Sequence, residues 1–527
     1  MFVEATDEAG VDFEYTFGDE SYENIMESSG GGVTVFDLDG DGHMDLYLLN
    51  GAYLEGISDS AGRRYSGATN RVYHNRGDGT FEDATERTGL ADTNWSMAAV
   101  AVDYDADGDK DLYVLNYGPN VFFENNGDGT FTDVTDRIGL GGPDALHGFP
   151  AWSVDAAFWD VDGDGLMDVV TCNFLAFDPA IVDPVDSTRM PHPGQYRGQA
   201  SLLYLQEPGN TFSEATAAAG LFRPDSKCMG MTVFDADQDG HLDLFQANDH
   251  QANFLFLSMG DGTFLERAAP AGVALNDEGL PTGSMDGTLG DVDGDGLVDV
   301  LVTDLRHGSL YRNKGGGLFE DVTRSSGLAR AFDGKGAWGA LLFDYDNDGD
   351  LDVFSANGAA ETLSPQRPLL LENDGGGLFS DVSVHRGSYF SEEHSGRGAA
   401  SIDFDNDGDL DLIISHVGRP SRAVLLRNDG GNRNHWIGLM LVPRGGLAAG
   451  VGARVVIEAG GERQALVNQP ATSYLSFNDP RLHVGLGRHD RIDRLEVHWV
   501  GGGLDIYEDV PIDRYLQVVQ GGPIQTR

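Results

Sequence analysis

The sequence predicts an all-β protein: a seven-bladed β-propeller with an aspartate-rich loop in each blade, followed by a small β-sandwich. Three observations predict it. A nine-residue acidic pattern occurs seven times. A Gly-Asp-Gly hairpin motif recurs between its copies. Beyond residue 430 both patterns stop, and short alternating apolar runs begin. A repeat of 50 to 75 residues built from strands points to blades rather than to separate sites.

The acidic pattern reads D-x-D-x-D-G-x-x-D. Oxygen ligands at positions 1, 3, 5 and 9, with a backbone carbonyl at position 7, suit a hard cation with six or seven ligands. The predicted sets are Asp37, Asp39, Asp41, His43 and Asp45; Asp103, Asp105, Asp107, Asp109 and Asp111; Asp160, Asp162, Asp164, Leu166 and Asp168; and Asp235, Asp237, Asp239, His241 and Asp243. The remaining three are Asp291, Asp293, Asp295, Leu297 and Asp299; Asp344, Asp346, Asp348, Asp350 and Asp352; and Asp403, Asp405, Asp407, Asp409 and Asp411. Position 7 varies because only its carbonyl is used, so the rings of His43 and His241 are bystanders. Calcium suits such a cage better than magnesium, and about seven ions, one per blade, are expected. Four carboxylates per loop repel one another without an ion, so cation binding is coupled to folding.

The flanks of each loop, such as "GVTVF" and "DLYLL", read as strands A and B. The hairpin motif, "VYHNRGDGTFEDAT" in its first copy, supplies strands C and D. The strand-D signature begins at Phe2, Phe81, Phe131, Phe212, Phe264, Phe319 and Phe379. One copy precedes the first loop and none follows the last. The N-terminal "FVEAT" is therefore expected to complete the seventh blade and remove an open sheet edge. The expected domains are residues 1–430 for the propeller and 434–522 for the sandwich.

The chain has 86 acidic and 34 basic residues, a net charge of −52. Nucleic acid and anionic membranes are poor partners for such a surface. The sequence has no run apolar enough to insert in a membrane as a helix, and its start has no signal-peptide pattern.

The seven loops and their "GDGTFxDxT" hairpins resemble FG-GAP/VCBS repeats. "NHWIGLML", "GVGARVVIEAG", "SYLSFNDPRLHVGLG" and "IDRLEVHWV" resemble the ASPIC/UnbV domain that follows such propellers in the cartilage acidic protein family. The resemblance implies a calcium-binding propeller, extracellular or periplasmic in its native setting. Two loops depart from the family pattern: Trp499-Val500-Gly501-Gly502 stands where Trp-Pro-Ser-Gly is common, and "GGLAAG" replaces another family loop. A ligand carried by those loops does not transfer.

In a four-stranded blade the Asp loops and Gly-Asp-Gly turns share the bottom face, and the longer connections share the top. Insertions at 51–71 and 173–200 lie on the top, where loops on a rigid scaffold carry binding sites. Top connections hold His147, His192, His250, His307, His385, His394 and His416, with Trp95, Trp152, Arg306 and Trp338. Two readings follow. One is a non-catalytic recognition protein that binds a protein or glycan through its top face. The other is an enzyme of secondary metabolism or polysaccharide chemistry. Its site would be built from His147, His192, His250, His307, His394 and His416, with a second, transition metal. Cys172 and Cys228 fall near the top of neighbouring blades; a disulfide and two buried thiols are both open.

Overall fold

The computed structural model describes residues 1–19, 21–58, 68–186, 190–418, 421–444 and 450–526. Part of each top insertion, and most of "GGLAAG", lie outside the described residues.

Seven four-stranded antiparallel units stand in a ring. Their innermost strands are Val33–Phe36, Trp95–Val102, Ser153–Trp159, Cys228–Phe234, Thr282–Gly290, Ala337–Phe343 and Gly396–Ile402. Each packs on the next, and Gly396–Ile402 packs on Val33–Phe36, which closes the circle. These strands are almost entirely buried; Val33–Phe36 and Trp95–Val102 are mainly apolar, whereas Thr282–Gly290 and Gly396–Ile402 are rich in glycine. The outer strand of the seventh unit is Phe2–Glu4, paired with Val424–Asn428 so that Phe2 lies opposite Asn428. Units four and five are also joined at the top, where Asp249 pairs with Gly283.

The hairpin motif forms as its chemistry requires. In the first unit Gly77 and Gly79 take φ of 71° and 80°, in the left-handed region, and the Asp78 carboxylate accepts from the Thr80 amide. One local feature differs from the sequence reading. Strand D runs into a single helical turn, as at Thr85–Thr88 and Thr135–Ile138. The "D-x-T" ending produces it: Asp83 accepts from both the amide and the hydroxyl of Thr85.

The C-terminal segment folds as two four-stranded sheets. His435–Val442 lies between Leu482–Gly487 and a parallel partner, Tyr515–Val519. Arg454–Ala459 lies between Glu462–Val467 and Ile492–His498. Leu439, Val455, Leu495 and Trp499 are among the side chains that fill the space between the sheets. Leu504–Val510 and Ile524–Thr526 are further strands that the apolar pattern did not reveal. Leu504–Val510 carries three acidic residues, Asp505, Glu508 and Asp509, which masked its alternation.

The two parts do not sit side by side as separate bodies. Residues 468–481 leave the sandwich and enter the ring from the Asp-loop face as a hairpin. Its arms are tied by the Asn478 amide to the Pro470 carbonyl, and its tip by Ser476 to Ser473. The rising arm touches blade four through Gln469 Nε2 to the Val233 carbonyl (3.3 Å). Higher up, the Thr288 hydroxyl of blade five donates to the Thr472 carbonyl (2.7 Å). The descending arm runs parallel to the first strand of blade one, with Phe477 and the Val33–Val35 backbone exchanging hydrogen bonds. Tyr474, Leu475 and Phe477 are buried, at 0%, 2% and 5% exposure. Full burial of such side chains contributes about 1.5–3 kcal/mol each. The central channel is thus filled by a peptide pin.

Candidate functional site

Each Asp loop is wound by its own backbone. The position-1 carboxylate accepts from amides three to five residues on, as Asp37 does from Gly40 and Gly42. The position-5 carboxylate accepts from the position-7 amide in all seven loops, at 2.8 to 3.1 Å. The position-9 carboxylate also ties the loop to its blade. Asp45 accepts from the amides of Leu38 and Asn75, both at 2.7 Å, and so locks the loop to strand C of its blade. Asp168 does the same with Val161 and Gln206, and Asp243 with Ala236 and Ser258.

These carboxylates are costly to bury. Burial raises Asp45 to about 6, Asp168 to about 7, Asp111 and Asp243 to about 8, and Asp352 to about 10. Buried oxygens of Asp103, Asp105, Asp346, Asp352 and Asp405 have no hydrogen-bond partner. Carboxylate oxygens within 4.8 Å of one another, for example on Asp103, Asp105 and Asp111, could hold a metal ion. The donor set in that loop is all oxygen, so a hard cation fits it; in the first loop the His74 ring joins Asp39 and Asp41.

Two side chains at position 7 act beyond their carbonyls. The His43 ring contacts Asn406 of the seventh loop (Nδ1 to Nδ2, 3.0 Å), and the Asp409 carboxylate accepts from the Gly430 amide (2.8 Å). The His43 ring and the Asp409 carboxylate are therefore parts of the contacts around the seventh loop.

A set of residues missed from sequence fastens the loops to one another. Asn75 Nδ2 donates to the Phe404 carbonyl (2.7 Å), Asn125 to Leu38 (3.1 Å), Gln206 to Tyr104 (2.9 Å), Asn373 to Val292 (2.9 Å) and Asn428 to Tyr345 (2.6 Å). Each amide sits in strand C and reaches position 2 of the preceding blade's Asp loop. The signal was present: an Asn two residues before most Gly-x-Gly turns, as in "HNRGDG" and "ENNGDG".

The sandwich covers the loops of blades five to seven. Arg454 donates to the Gly296 carbonyl (3.0 Å), His483 Nε2 pairs with Asn347 Oδ1 (2.6 Å), and Tyr515 donates to Asp403 Oδ2. Arg481, ion-paired to Asp479 in a buried position, donates to the Asp403 carbonyl (2.9 Å). Between the sandwich and the loops of blades five and six lies a polar cleft of about 660 Å³.

On the opposite face a cavity of about 440 Å³ remains above the tip of the pin. His192, His250 and His307 line it, with Arg306, Trp338, Met190, Met229 and Met285. The His192 and His250 rings lie 4.1 Å apart, and burial holds both below the usual histidine range, His250 at about 4. The Gly194 amide donates to His192 Nδ1 (3.0 Å), which leaves Nε2 to carry the proton.

The other candidates lie elsewhere. His147 contacts the Pro224 carbonyl (2.7 Å). His394 stacks on Tyr389, and His416 is buried between the Tyr389 hydroxyl and the Arg422 carbonyl, its pKa lowered by burial to about 3. His385 ends a short 3-10 turn after strand D of blade six. Trp95 and Trp152, expected on the top loops, are instead core residues at 1% and 0% exposure. Trp95 begins an inner strand and Trp152 adjoins one, which packs both rings into the core. Cys172 and Cys228 form a disulfide that joins blades three and four.

Family comparisons agree with this architecture. The FG-GAP-like repeat model matches residues 56–114, 103–171, 235–302, 291–355 and 344–414, and the ASPIC and UnbV model matches 444–524. Cartilage acidic protein 1 of Mus musculus is 27% identical over 482 residues, and that of Homo sapiens 26% over 483. Each alignment covers 89% of this chain, and the chain spans about 60% of the relatives' length. Among solved structures, an Agrocybe aegerita lectin that recognises non-reducing terminal N-acetylglucosamine aligns with TM-score 0.38 and 18% identity, over 67% of this chain and 79% of that one. YCF48 bound to D1 peptide aligns with TM-score 0.40 and 11% identity, over 79% of this chain and 94% of that one. The repeats, their spacing and the matched C-terminal segment establish that the chain belongs to the FG-GAP repeat family with a C-terminal ASPIC/UnbV domain.

Proposed function

We propose that this protein is a calcium-stabilised recognition protein that binds a protein or glycan at its top face. The observation that carries the reading is the top-face cavity around Trp338, His192 and His250, which lies above a channel otherwise filled by the pin. The Asp loops are calcium staples in this reading, about seven per chain, with positions 1, 3, 5 and 9 and the position-7 carbonyl as ligands. Their unpartnered buried oxygens and burial-raised carboxylates support a resident cation. We take residues 1–430 and 434–522 as the two domains, joined by the pin. The setting is extracellular or periplasmic, and the Cys172–Cys228 disulfide supports an oxidising compartment. No helix among the described residues is long and apolar enough to cross a membrane.

The histidines support binding over catalysis with a second metal. His192 has its Nδ1 lone pair engaged by an amide, and His416 has both ring nitrogens engaged. The test is a paired screen. Wild type and Ala360→Trp, which fills the cavity rim, are compared on arrays of glycans and purified extracellular proteins, with metal content measured in parallel. The reading requires a ligand lost in Ala360→Trp and calcium near seven per chain. A ligand retained by that variant would sink it.

A further inference from the structure

The cavity above the pin holds one group whose chemistry is unfinished. Asp249 is 1% exposed, lines the cavity, and its Oδ1 has no hydrogen-bond partner. A buried acceptor left unmade costs about 1–3 kcal/mol. The nearest basic groups do not satisfy it. His250 Nε2 stands 3.6 Å away, beyond hydrogen-bond reach, and the Lys227 ammonium is directed to the Pro193 carbonyl at 2.9 Å.

Acidic groups crowd Asp249: among the described residues Asp333 and Glu361 also line the cavity, and Asp304 lies just behind Asp249 across Gly283. The cationic groups near it are Arg306, which lines the cavity, and Lys227, which attracts the Asp249 carboxylate. The walls between are apolar and adaptable: Met190, Met229, Met285 and Trp338. Such a cavity accepts a long apolar stem that ends in a positive, hydrogen-bond-donating head. The rest of the molecule, at −52, attracts a basic partner.

We propose that the top-face cavity takes a lysine or arginine side chain from a basic polypeptide partner, with Asp249 Oδ1 as the acceptor for its ammonium or guanidinium group. This rests on the top-face reading above and names its partner class. Burial holds Asp249 above the usual carboxylate range, at about 7, so a bound cation would also draw it into the ionised form.

The full-length protein, calcium-loaded, is titrated calorimetrically with Nα-acetyl-lysine amide, Nα-acetyl-arginine amide and, as the uncharged analogue, Nα-acetyl-norleucine amide. Either cationic probe is expected to bind, norleucine at least tenfold more weakly. Asp249→Asn, which keeps shape and removes charge, is expected to weaken the cationic probes at least tenfold and to leave norleucine unchanged. Equal binding of norleucine, or cation binding unchanged in Asp249→Asn, overturns the proposal, as does failure of both cationic probes to bind. If the cationic probes fail while Ala360→Trp still abolishes an array ligand, the top-face reading survives and the cation reading alone falls.

Discussion

The Tyr474 hydroxyl donates to the Ser29 carbonyl at 3.0 Å, joining the sandwich to the short N-terminal helix (Ile25–Ser29) at the far end of the ring. The same ring lies 5.1 Å from Trp338, which carries Arg397 on its face at 4.1 Å. A residue anchored below the propeller thus supports the floor of the cavity above it.

Tyr474→Phe should cost about 1 kcal/mol by losing that hydrogen bond. Tyr474→Ala should cost about 3–5 kcal/mol, as expected for deleting a buried aromatic ring. Denaturant midpoints of the full chain measure both. A Tyr474→Ala midpoint equal to wild type would show that the pin bears no load.

The interblade amides are expected to matter individually. Asn373 Nδ2 is shared between the Val292 and Leu351 carbonyls, at 2.9 and 3.0 Å, and is buried. Asn373→Ala should cost about 1–3 kcal/mol, because two buried carbonyls lose their donor. The same substitution at exposed Asn126 should shift the midpoint far less.

Metal removal should make stability depend on pH with a definite sign. In the metal-free chain burial lifts Asp45 to about 6, Asp168 to about 7, and Asp111 and Asp243 to about 8, above their unfolded values. The folded state then binds more protons than the unfolded one. Stability from these groups is present at low pH and is lost as pH rises from about 5 through 8. The chelated protein should melt lower at pH 8 than at pH 5.5, and added calcium should erase most of that fall. A chelated protein that melts higher at pH 8 would contradict the assignment.

Reducing the Cys172–Cys228 disulfide, or replacing both cysteines by serine, should cost about 2–4 kcal/mol, since the bridge closes a 56-residue separation. Differential scanning calorimetry with and without reductant reads this directly.

The scaffold was legible because its chemistry is local. Asp37, Asp39 and Asp41 share one turn, and Gly77 and Gly79 set one hairpin, so a nine- or four-residue window contains the whole cause. The amides were half legible: Asn75 repeats visibly, but its partner, Phe404, lies 329 residues away. The pin was not legible. "PATSYLSFNDP" has no period or composition that sets it apart from a loop, and its burial depends on a channel built by seven other segments. For the same reason Trp95 and Trp152 read as loop aromatics. Of the candidate histidines, His192, His250 and His307 converge because strand ends of adjacent blades converge, and spacing along the chain carries no trace of that.

The placement of Phe2–Glu4 has a consequence for synthesis. Phe2–Glu4 pairs with Val424–Asn428, and the axis of the ring is filled by residues 468–481. The ring cannot close until Val424–Asn428 has been made, and its axis stays empty until residues 468–481 follow. Until then the nascent molecule is an open arc with an unpaired edge and an empty apolar bore. Phe2–Glu4 waits longest for its neighbours, and a chaperone that shields the arc would act during that interval.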